Sequence, residues 1–501
     1  MNILSLANQI NNIFLQLFLV GLLILITNCE KNIHTQKLFN QQIEKSSSHE
    51  IFIEINQKKI HLQVINGTFL GSEQRNFYGS EVPKHWNLIW KTWLGSGKTI
   101  VKKGKEEIWS GAGWTGQPLL FLENGHPYLL QGAYDHNLKK IDATNGEIIW
   151  QCPFEDVIKG TGTIWLNHQT EIPEHKALVL QGSRQSKNYF NKIAPGLKAI
   201  SLLTGKPVWE LNVERTLSYS RDVDASALVI NDTAYIGLEN GNFLVFLPDP
   251  RFTESKDNLV QPKILRKFEL FTPNDALKHS RNLVIEASPA YWNRKIFISV
   301  GSGHIFTYDL DHQKIVGDFY IGSDLDGSPV ITSDSCVLIA VEKQYIQGNG
   351  GILKFNPQTQ AIEWYFETGN KKFASWDGGV IGSPSVKDSL CAFNAIDGYT
   401  YVVHLKKLQA QHGRLFDGKT SCPKPELIFK YHIGPSISTP LLVEDYLISA
   451  GYNGLYIFRF QNGCFQLVKK ISGVFEATPF VYNQKLYIAS RDGYLYCFGD
   501  L

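Results

Sequence analysis

The hydrophobic pattern of this chain consists of short apolar runs separated by polar turns, and Tyr128–Trp150 is the clearest example. Three runs in it, Tyr128–Gln131, Leu138–Ala143 and Ile148–Trp150, are rich in β-branched and aromatic residues, which predicts three short β-strands. The Asn145-Gly146 pair accepts the positive φ that a tight hairpin turn needs. Because a three-stranded meander leaves one face wet, we expect it to be one unit of a repeated structure.

A short signal precedes an apolar run in each predicted unit, and we call it the small-Ser-Pro signal after its most complete copies. Proline suits the first residue of a strand, where no backbone donor is required. Small residues suit a crowded place where many strands converge. The copies are Thr115–Pro118, Gly162–Trp165, Ala225–Ala227, Ala287–Pro289, Gly327–Pro329, Gly382–Pro384, Ser438–Pro440 and Ala477–Pro479.

A second signal, a turn that usually pairs glycine with a small polar residue, gives the same number of units. The two counts of eight predict an all-β fold, an eight-bladed β-propeller with four-stranded blades. The last unit lacks its fourth strand, and the isolated run Asn87–Leu94 can supply it, so that the ring closes by pairing N- and C-terminal strands. The turns are Tyr134–Asn137, Gln181–Arg184, Glu239–Asn242, Gly301–His304, Gly348–Gly351, Ile396–Tyr399, Tyr452–Gly454 and Arg491–Tyr494.

The beginning of the chain has the features of an export signal. Ile13–Ile26 is an apolar run with the length of a signal-peptide core, and Cys29 follows it as in the bacterial lipobox. We therefore predict a signal peptide over 1–28, a lipid on Cys29 that anchors the chain to a membrane, and a flexible tether over 29–50. A cleaved signal or a retained anchor without lipid are the alternatives. The remaining chain divides into a β extension (51–80), which begins with a hairpin over Ile51–Val64, and the propeller (81–501).

Charge and cysteine content exclude some functions. With 49 basic and 47 acidic residues the net charge is +2, so no global field favours nucleic acid. There is no C-x-x-C motif, and the six cysteines after Cys29 have no spacing that fixes a pairing. We expect most of them to be small buried residues.

Three units resemble the repeat of pyrroloquinoline-quinone (PQQ)-type propellers. They are Ala133–Trp150, Leu197–Trp209 and, more weakly, Ile352–Trp364. In that family the Gly and Trp of the repeat dock adjacent blades. The resemblance covers about residues 85–501 and implies the eight-bladed fold.

Two kinds of function belong to that family. Quinoprotein dehydrogenases hold PQQ and Ca²⁺ on the channel axis, whereas other members are non-catalytic, among them an envelope lipoprotein of the outer-membrane protein assembly machine. The adjacent cysteine pair usual in the dehydrogenases and the haem-attaching C-x-x-C-H of some are both missing here. We therefore expect a non-enzymatic binding or scaffold protein of the bacterial cell envelope without a cofactor. Its partner would be an envelope protein or a small polar ligand. A PQQ- and Ca²⁺-dependent dehydrogenase that oxidises an alcohol or sugar is the alternative.

The residues just ahead of each small-Ser-Pro signal are candidates for a binding site. Strand order places them at one mouth of the channel, where carboxylates, arginines and tryptophans would face a common funnel. Such a funnel suits a polar ligand, a sugar, a peptide or a cation; the alternative is that these residues cap loops and bridge blades. The candidates are Trp114, Lys159, Arg221, Asp222, Asp224, Arg281, Glu286, Asp324, Asp326, Trp376, Asp377, His432 and Glu476.

Two local motifs bear on metal binding and phosphate binding. Asp222-x-Asp224 offers two carboxylates to a metal ion, but no third ligand follows at the spacing of a calcium loop. Gly95–Thr99 (GSGKT) resembles part of a phosphate-binding loop, but Thr92 stands where that motif has glycine. We interpret Gly95–Thr99 as a hairpin turn.

Overall fold

The computed structural model describes residues 49–55, 57–101 and 104–500, and these residues form a nearly all-β chain. The predicted signal peptide, the lipid-attachment site Cys29 and residues 29–48 of the tether lie outside this part. None of the helices that the structure describes has the length and apolar character needed to cross a membrane.

Eight four-stranded antiparallel blades are present, as predicted. Each blade runs outward from an inner strand A to an outer strand D. Blade 1 comprises β6 (Leu119–Glu123), β7 (His126–Gly132), β8 (Asn137–Asp142) and β9 (Ile148–Pro153); blade 2 comprises β10 (Thr163–Leu166), β11 (Ala177–Gly182), β12 (Pro195–Ser201) and β13 (Pro207–Asn212). Blade 3 comprises β14 (Leu228–Ile230), β15 (Thr233–Gly237), β16 (Asn242–Leu247) and β19 (Lys263–Glu269); blade 4 comprises β20 (Ala290–Trp292), β21 (Lys295–Ser299), β22 (His304–Asp309) and β23 (Lys314–Tyr320).

The second half of the ring repeats this arrangement. Blade 5 comprises β24 (Val330–Ile331), β25 (Val337–Val341), β26 (Gly351–Asn356) and β27 (Ala361–Glu367); blade 6 comprises β28 (Ser385–Lys387), β29 (Leu390–Asn394), β30 (Tyr399–Leu408) and β33 (Pro425–His432). Blade 7 comprises β34 (Leu441–Val443), β35 (Tyr446–Gly451), β36 (Gly454–Gln461) and β37 (Cys464–Ile471); blade 8 comprises β38 (Phe480–Tyr482), β39 (Lys485–Ala489), β40 (Tyr494–Gly499) and β3 (Asn87–Trp93).

Blade 8 closes the ring in the predicted way. Its outer strand β3 comes from the N-terminal side and pairs antiparallel with the C-terminal strand β40 from Asn87–Gly499 to Trp93–Tyr494. The free edge of the last unit is thereby covered.

The remaining elements are short. Four hairpins and one helix lie outside the blades, and one of the hairpins extends blade 1 inward because its second strand pairs with β6. They are β1 (Glu50–Ile55) with β2 (Lys58–Asn66), β4 (Ser96–Ile100) with β5 (Glu106–Ser110), β17 (Glu254–Lys256) with β18 (Leu259–Gln261), β31 (Gly413–Arg414) with β32 (Ser421–Cys422), the helix α1 (Pro273–Lys278), and 3-10 turns at Pro173–His175 and Pro250–Phe252.

One predicted turn is wrong. Gly95–Thr99 was interpreted as a hairpin turn, but Ser96–Ile100 is strand β4 and only Gly95, at φ +100°, lies in a turn. A strand in place of a helix after the glycine also rules out a phosphate-binding loop there.

Tryptophans on the outer strands connect neighbouring blades. In four of them the indole Nε1 donates a hydrogen bond to a backbone carbonyl in or just after strand C of the next blade, and the ring packs against the turn glycine where one is present. A side chain on Gly205, for example, would meet the ring of Trp150 at 2.8 Å. The bonds join Trp90 to Ala143 (3.2 Å), Trp150 to Leu202 (3.3 Å), Trp209 to Pro248 (2.8 Å) and Trp364 to Leu405 (3.0 Å).

The small-Ser-Pro signals form a closed girdle of hydrogen bonds around the channel. The Ser226 amide donates to Ser288 Oγ (2.9 Å), and the Ser288 amide donates to Ser328 Oγ (2.9 Å). The same step continues to Ser383 and Thr439. Bonds through Ser438, Thr478, Thr115 and Thr161 complete the circle back to blade 3. At Ser226, Ser288, Ser328 and Ser383 the backbone amide and the hydroxyl bond to different blades, which explains the serine at these positions.

Residues 66–81, which we call the channel segment, cross the ring inside its inner strands. The predicted β extension (51–80) continues into this segment, which is hydrogen-bonded to all eight blades. Its glycine Gly79, at φ +116°, lies against β38 so closely that a Cβ atom would meet Val481 O at 1.9 Å. The partners, one in each blade, are Pro118, Ile164, Ser226, Tyr291, Ile331, Val386, Glu444 and Val481.

The centre of the channel segment is Arg75, which is completely buried. Its guanidinium donates to Pro289 O (2.9 Å), Phe69 O (2.8 Å) and Thr68 Oγ1 (2.7 Å). Burial lowers the pKa of Arg75 to about 9. The segment therefore closes the channel on one side of the girdle.

All six cysteines in the described part of the chain are free thiols, and five of them are buried. Cys464 is the exposed one. The prediction that most cysteines are small buried residues is confirmed for these six.

Candidate functional site

The opposite side of the girdle from the channel segment is a funnel. Each strand A starts at the girdle and runs toward the channel segment, so the residues ahead of the signals and the turns between strands B and C gather at the other end. With the channel segment in place, the funnel has one mouth.

Blades 3, 4 and 5 contribute seven carboxylates to one side of the funnel, which we call the acidic wall. Six of the seven form two groups of three, and within each group the carboxylate oxygen atoms lie within 4.8 Å of one another. The first triad is Asp224, Glu239 and Glu286; the second triad is Asp324, Asp326 and Glu342; Asp222 is the seventh member.

Burial and mutual repulsion raise the pKa values of the acidic wall. Burial, opposed in part by Lys159, raises the pKa of Glu286 to about 8. Burial and then Asp324 raise the pKa of Asp326, and burial and then Asp326 raise that of Glu342. The cause is desolvation together with like charges.

Two cations lie against the first triad and Asp222. Lys159 Nζ makes an ion pair with Asp224 and lies 3.7 Å from Glu286, and Arg184 Nε donates to Asp222 at 2.9 Å. Burial alone would lower the pKa of Lys159, but these carboxylates raise it well above its ordinary value. The first triad is therefore a partly neutralised structural cluster, although Glu239 Oε1 is buried and has no hydrogen-bond partner among the described residues.

The second triad has no ion pair with any lysine, arginine or histidine of the described chain. Its neutral donors are Asn282 Nδ2, 2.5 Å from Asp324, and Gln344 Nε2, 3.1 Å from Glu342. Two hydrogen bonds from amides do not balance three carboxylates. This triad is the part of the funnel that is electrostatically complementary to an incoming cation.

The other side of the funnel, which we call the apolar wall, comes from blades 1, 6 and 7. Trp114 packs with isoleucines of blades 6 and 7 although it belongs to blade 1, so its ring lies across the channel. Phe373 and Trp376 stack at 6.4 Å at the edge of this group and are partly exposed. The wall consists of Trp114, Phe373, Trp376, Ile381, Ile396 and Ile437.

The two walls meet at two places. Lys159 Nζ, paired with Asp224, lies 6.0 Å from the centroid of the Trp114 ring. On the far side, Glu342 pairs through its backbone with Gly379, in the loop that carries Trp376. The funnel is therefore amphipathic, with acidic and apolar surfaces in contact.

Blades 7, 8 and 1 complete the circle with a saturated polar group. Glu476 accepts hydrogen bonds from Tyr452 Oη (2.6 Å) and from Arg491 Nη1 (2.7 Å). The Arg491 guanidinium lies 4.9 Å from the ring of Tyr134. Both carboxylate oxygens of Glu476 accept hydrogen bonds, and the residue bridges blades. This is the alternative role that the sequence allows for the residues ahead of each signal.

The structure brings together seven of the thirteen predicted residues in the two walls and places Lys159 and Glu476 beside them. Four others lie elsewhere. Arg221 is buried and donates to Val213 O and to carbonyls of the insertion at 188–191, so it clamps that loop. Arg281 donates to Leu217 O, His432 is exposed at the end of β33, and Asp377 is paired with Lys372 at the rim.

Sequence reasoning missed Glu239, Glu342 and Arg184. Glu239 opens a recognised B–C turn, and Glu342 directly follows the buried strand β25. The signal that could have found them is a carboxylate at the end of strand B, where the polypeptide turns over the funnel.

The quinoprotein members of this fold hold Ca²⁺ and PQQ. The side chains of the funnel suit Ca²⁺ and do not suit PQQ. Three carboxylates and an amide suit a hard cation such as Ca²⁺, which prefers oxygen ligands. PQQ carries carboxylates of its own, and the cations lining the funnel in the described chain, Lys159, Arg184 and Arg491, already pair with Asp224, Asp222 and Glu476.

No protein-family model and no curated protein sequence matches this chain. Solved structures do match it. BamB from Moraxella catarrhalis is 14% identical with a TM-score of 0.52, covering 83% of this chain and 100% of that one. A europium-containing methanol dehydrogenase is 11% identical (TM-score 0.56; 87% and 98% covered), and quinohemoprotein alcohol dehydrogenase from Comamonas testosteroni is 12% identical (TM-score 0.55; 87% and 80% covered).

These similarities confirm the resemblance at the level of fold: the chain is an eight-bladed β-propeller with the fold that BamB and the two dehydrogenases share. Because BamB and alcohol-oxidising enzymes are both among the similar structures, the fold is compatible with a binding protein and with an enzyme.

Proposed function

We propose that this protein is a non-enzymatic binding propeller of the bacterial cell envelope that takes a cationic ligand into its single-mouthed funnel. The observation that carries the proposal is the second triad: Asp324, Asp326 and Glu342 have oxygen atoms within 4.8 Å and no cation of the described chain in contact. Three carboxyl groups held this close in a poorly solvated site repel one another as anions, which raises their pKa values, and a bound cation relieves that repulsion in place of a proton.

Two further observations support this proposal. The channel segment blocks the far end, so a ligand enters and leaves by the same mouth. The europium-containing methanol dehydrogenase, a structure of similar fold, holds a lanthanide ion by its own description, which supports the use of a lanthanide as a probe here.

Terbium(III) is the first test. We expect Tb³⁺ to bind the purified protein with emission sensitised by the nearby aromatic residues, and Ca²⁺ to compete. Asp326→Asn removes one charged oxygen ligand and is expected to weaken binding about tenfold, equivalent to about 1.4 kcal/mol. Asp311→Asn, which changes an exposed carboxylate paired with Arg294, is the matched control and should leave the affinity unchanged.

Equal affinities of the wild type and the Asp326→Asn variant would contradict the proposal. The enzymatic alternative is tested on the same preparation: added PQQ and Ca²⁺ should produce neither bound quinone absorbance nor dye-linked oxidation of alcohols or sugars. Oxidation above the level of the protein-free control would overturn the non-enzymatic assignment.

Export and anchoring form the second part of the proposal. The apolar run Ile13–Ile26 followed by Cys29 supports lipidation of that cysteine. In a bacterial host we expect incorporation of labelled palmitate into the full chain, with complete loss in Cys29→Ser and no loss in Cys464→Ser. Labelling that persists in Cys29→Ser would contradict anchoring at this residue.

The cation is a small ligand or a charged group on an envelope protein. The rigid ring and its funnel loops would present the site to either.

A further inference from the structure

The amphipathic character of the funnel narrows the class of ligand. The second triad is connected through backbone bonds to the loop that carries the exposed part of the apolar wall: Lys343 N donates to Gly378 O (2.9 Å), and Val380 N donates to Val341 O (3.1 Å). Trp376 and Phe373 therefore stand beside the carboxylates and not on a separate face.

Aromatic side chains also stand on the acidic side. Tyr345 is 47% exposed and Tyr219 is 50% exposed. After the larger effect of desolvation, Asp324 raises the pKa of the Tyr345 hydroxyl, whereas Glu286 and then Asp324 raise the pKa of the Tyr219 hydroxyl. Aromatic faces attract cations, and most strongly those that shed water readily.

A bare metal ion would use only the carboxylate oxygens and would leave these partly exposed aromatic surfaces without a role. Within the first triad, Glu239 Oε1 is buried with no hydrogen-bond partner in the described chain, so the acidic wall has spare acceptors beyond those that Lys159 and Arg184 engage. An ammonium group with several N–H donors can use such acceptors, and an apolar body can cover Trp376 and Phe373.

We infer that the ligand is an organic ammonium ion with an apolar body, which places its charged group against Asp324, Asp326 and Glu342 and its body against Phe373 and Trp376. This inference rests on the proposed function and names its ligand class.

A homologous series of alkylammonium ions tests it. Binding of methyl- to hexylammonium to the full-length protein is measured by calorimetry at pH 7, with the matching neutral alcohols as controls. Burial of each additional methylene against the apolar wall should tighten binding about threefold to fourfold. The alcohols should bind far more weakly than the ammonium ions, because only the latter neutralise the triad.

Variants separate the two walls. Trp376→Ala should flatten the dependence on chain length while methylammonium binds as before. Asp326→Asn should weaken every member about tenfold and leave the slope unchanged. Trp93→Ala, which truncates a 51%-exposed tryptophan on the outer strand of blade 8, is the control and should change neither quantity. If a variant does not fold, the dependence of the wild-type affinity on alkyl chain length still tests the inference by itself.

The outcomes distinguish this inference from the proposed function. Binding of Tb³⁺ or Ca²⁺ together with an alkylammonium affinity that is independent of chain length would overturn the inference and leave the cation-binding proposal standing. Alcohols that bind as tightly as ammonium ions would also overturn the inference. If neither the metal ions nor the ammonium ions bind, both the cation-binding proposal and the ammonium inference are contradicted.

Discussion

The Arg75→Met variant is expected to lose about 3–5 kcal/mol of unfolding free energy, measured from the midpoint and slope of denaturant unfolding. Arg75 is completely buried and donates to backbone carbonyls of the channel segment and of blade 4. Methionine fills much of the same volume but donates no hydrogen bond, so several buried acceptors would lose their partner. The inner strands would then lose a cation that connects them across the ring.

Two controls make this result specific. Arg75→Lys keeps the charge with fewer donors and should lose less stability than Arg75→Met. Arg294→Met removes an exposed arginine paired with Asp311 and should change stability by under about 1 kcal/mol. If Arg75→Met and Arg294→Met had similar effects, the channel segment would not be a stabilising element of the ring.

The second large effect is a loss of stability with rising pH. Burial raises the pKa of Glu286 from 4.5 to about 8, so the folded chain binds this proton more tightly than the unfolded chain does. The stability from this proton is fully present below pH 4.5 and is lost as the pH rises through about 8, by on the order of 5 kcal/mol for Glu286 alone. The raised pKa values of Glu239, Asp324, Asp326 and Glu342 act in the same direction.

Thermal unfolding between pH 5 and 8.5 is the measurement, and the melting temperature should fall over this range. Glu286→Gln removes one titrating group and should reduce the slope, whereas Glu171→Gln, whose carboxylate is almost fully exposed, should not. A saturating cation should restore stability mainly at the alkaline end. A melting temperature that rises steadily to pH 8.5 would contradict the proton-binding behaviour of the acidic wall.

The blades were predictable because their signals are local. Asn145-Gly146 forms the turn before β9, and each proline of a complete small-Ser-Pro signal precedes an inner strand by one residue. The count of blades and the closure by Asn87–Trp93 follow from such short-range patterns. Their physical basis, the girdle of hydroxyl bonds, appears only in three dimensions.

The channel segment was not predictable in the same way. Its bonds join positions far apart in sequence, such as Arg75 and Pro289, which are 214 residues apart. Glycine and polar residues in 66–80 are typical of a surface loop, and no periodicity distinguishes a polar segment that is buried by the closure of a ring around it.

The funnel was predicted in part. Asp224, Glu286 and Asp326 lie there because the residue ahead of each signal has a fixed place in the blade. Arg221 is only three residues ahead of Asp224 and still points elsewhere, because carbonyls of the insertion at 188–191 offer its guanidinium several acceptors. Spacing determines where a backbone lies, while the available partners determine where a long charged side chain goes.

The route of the N-terminal chain has a mechanical consequence. From His49 the chain forms the β1–β2 hairpin on blade 1, passes through the ring as the channel segment, and only then reaches β3, which pairs with β40 at the seam. A pulling force applied at residue 49 therefore loads the hairpin and the buried crossing before it loads the seam. In a protein tethered by its N-terminus, this order protects the closure of the ring from tension.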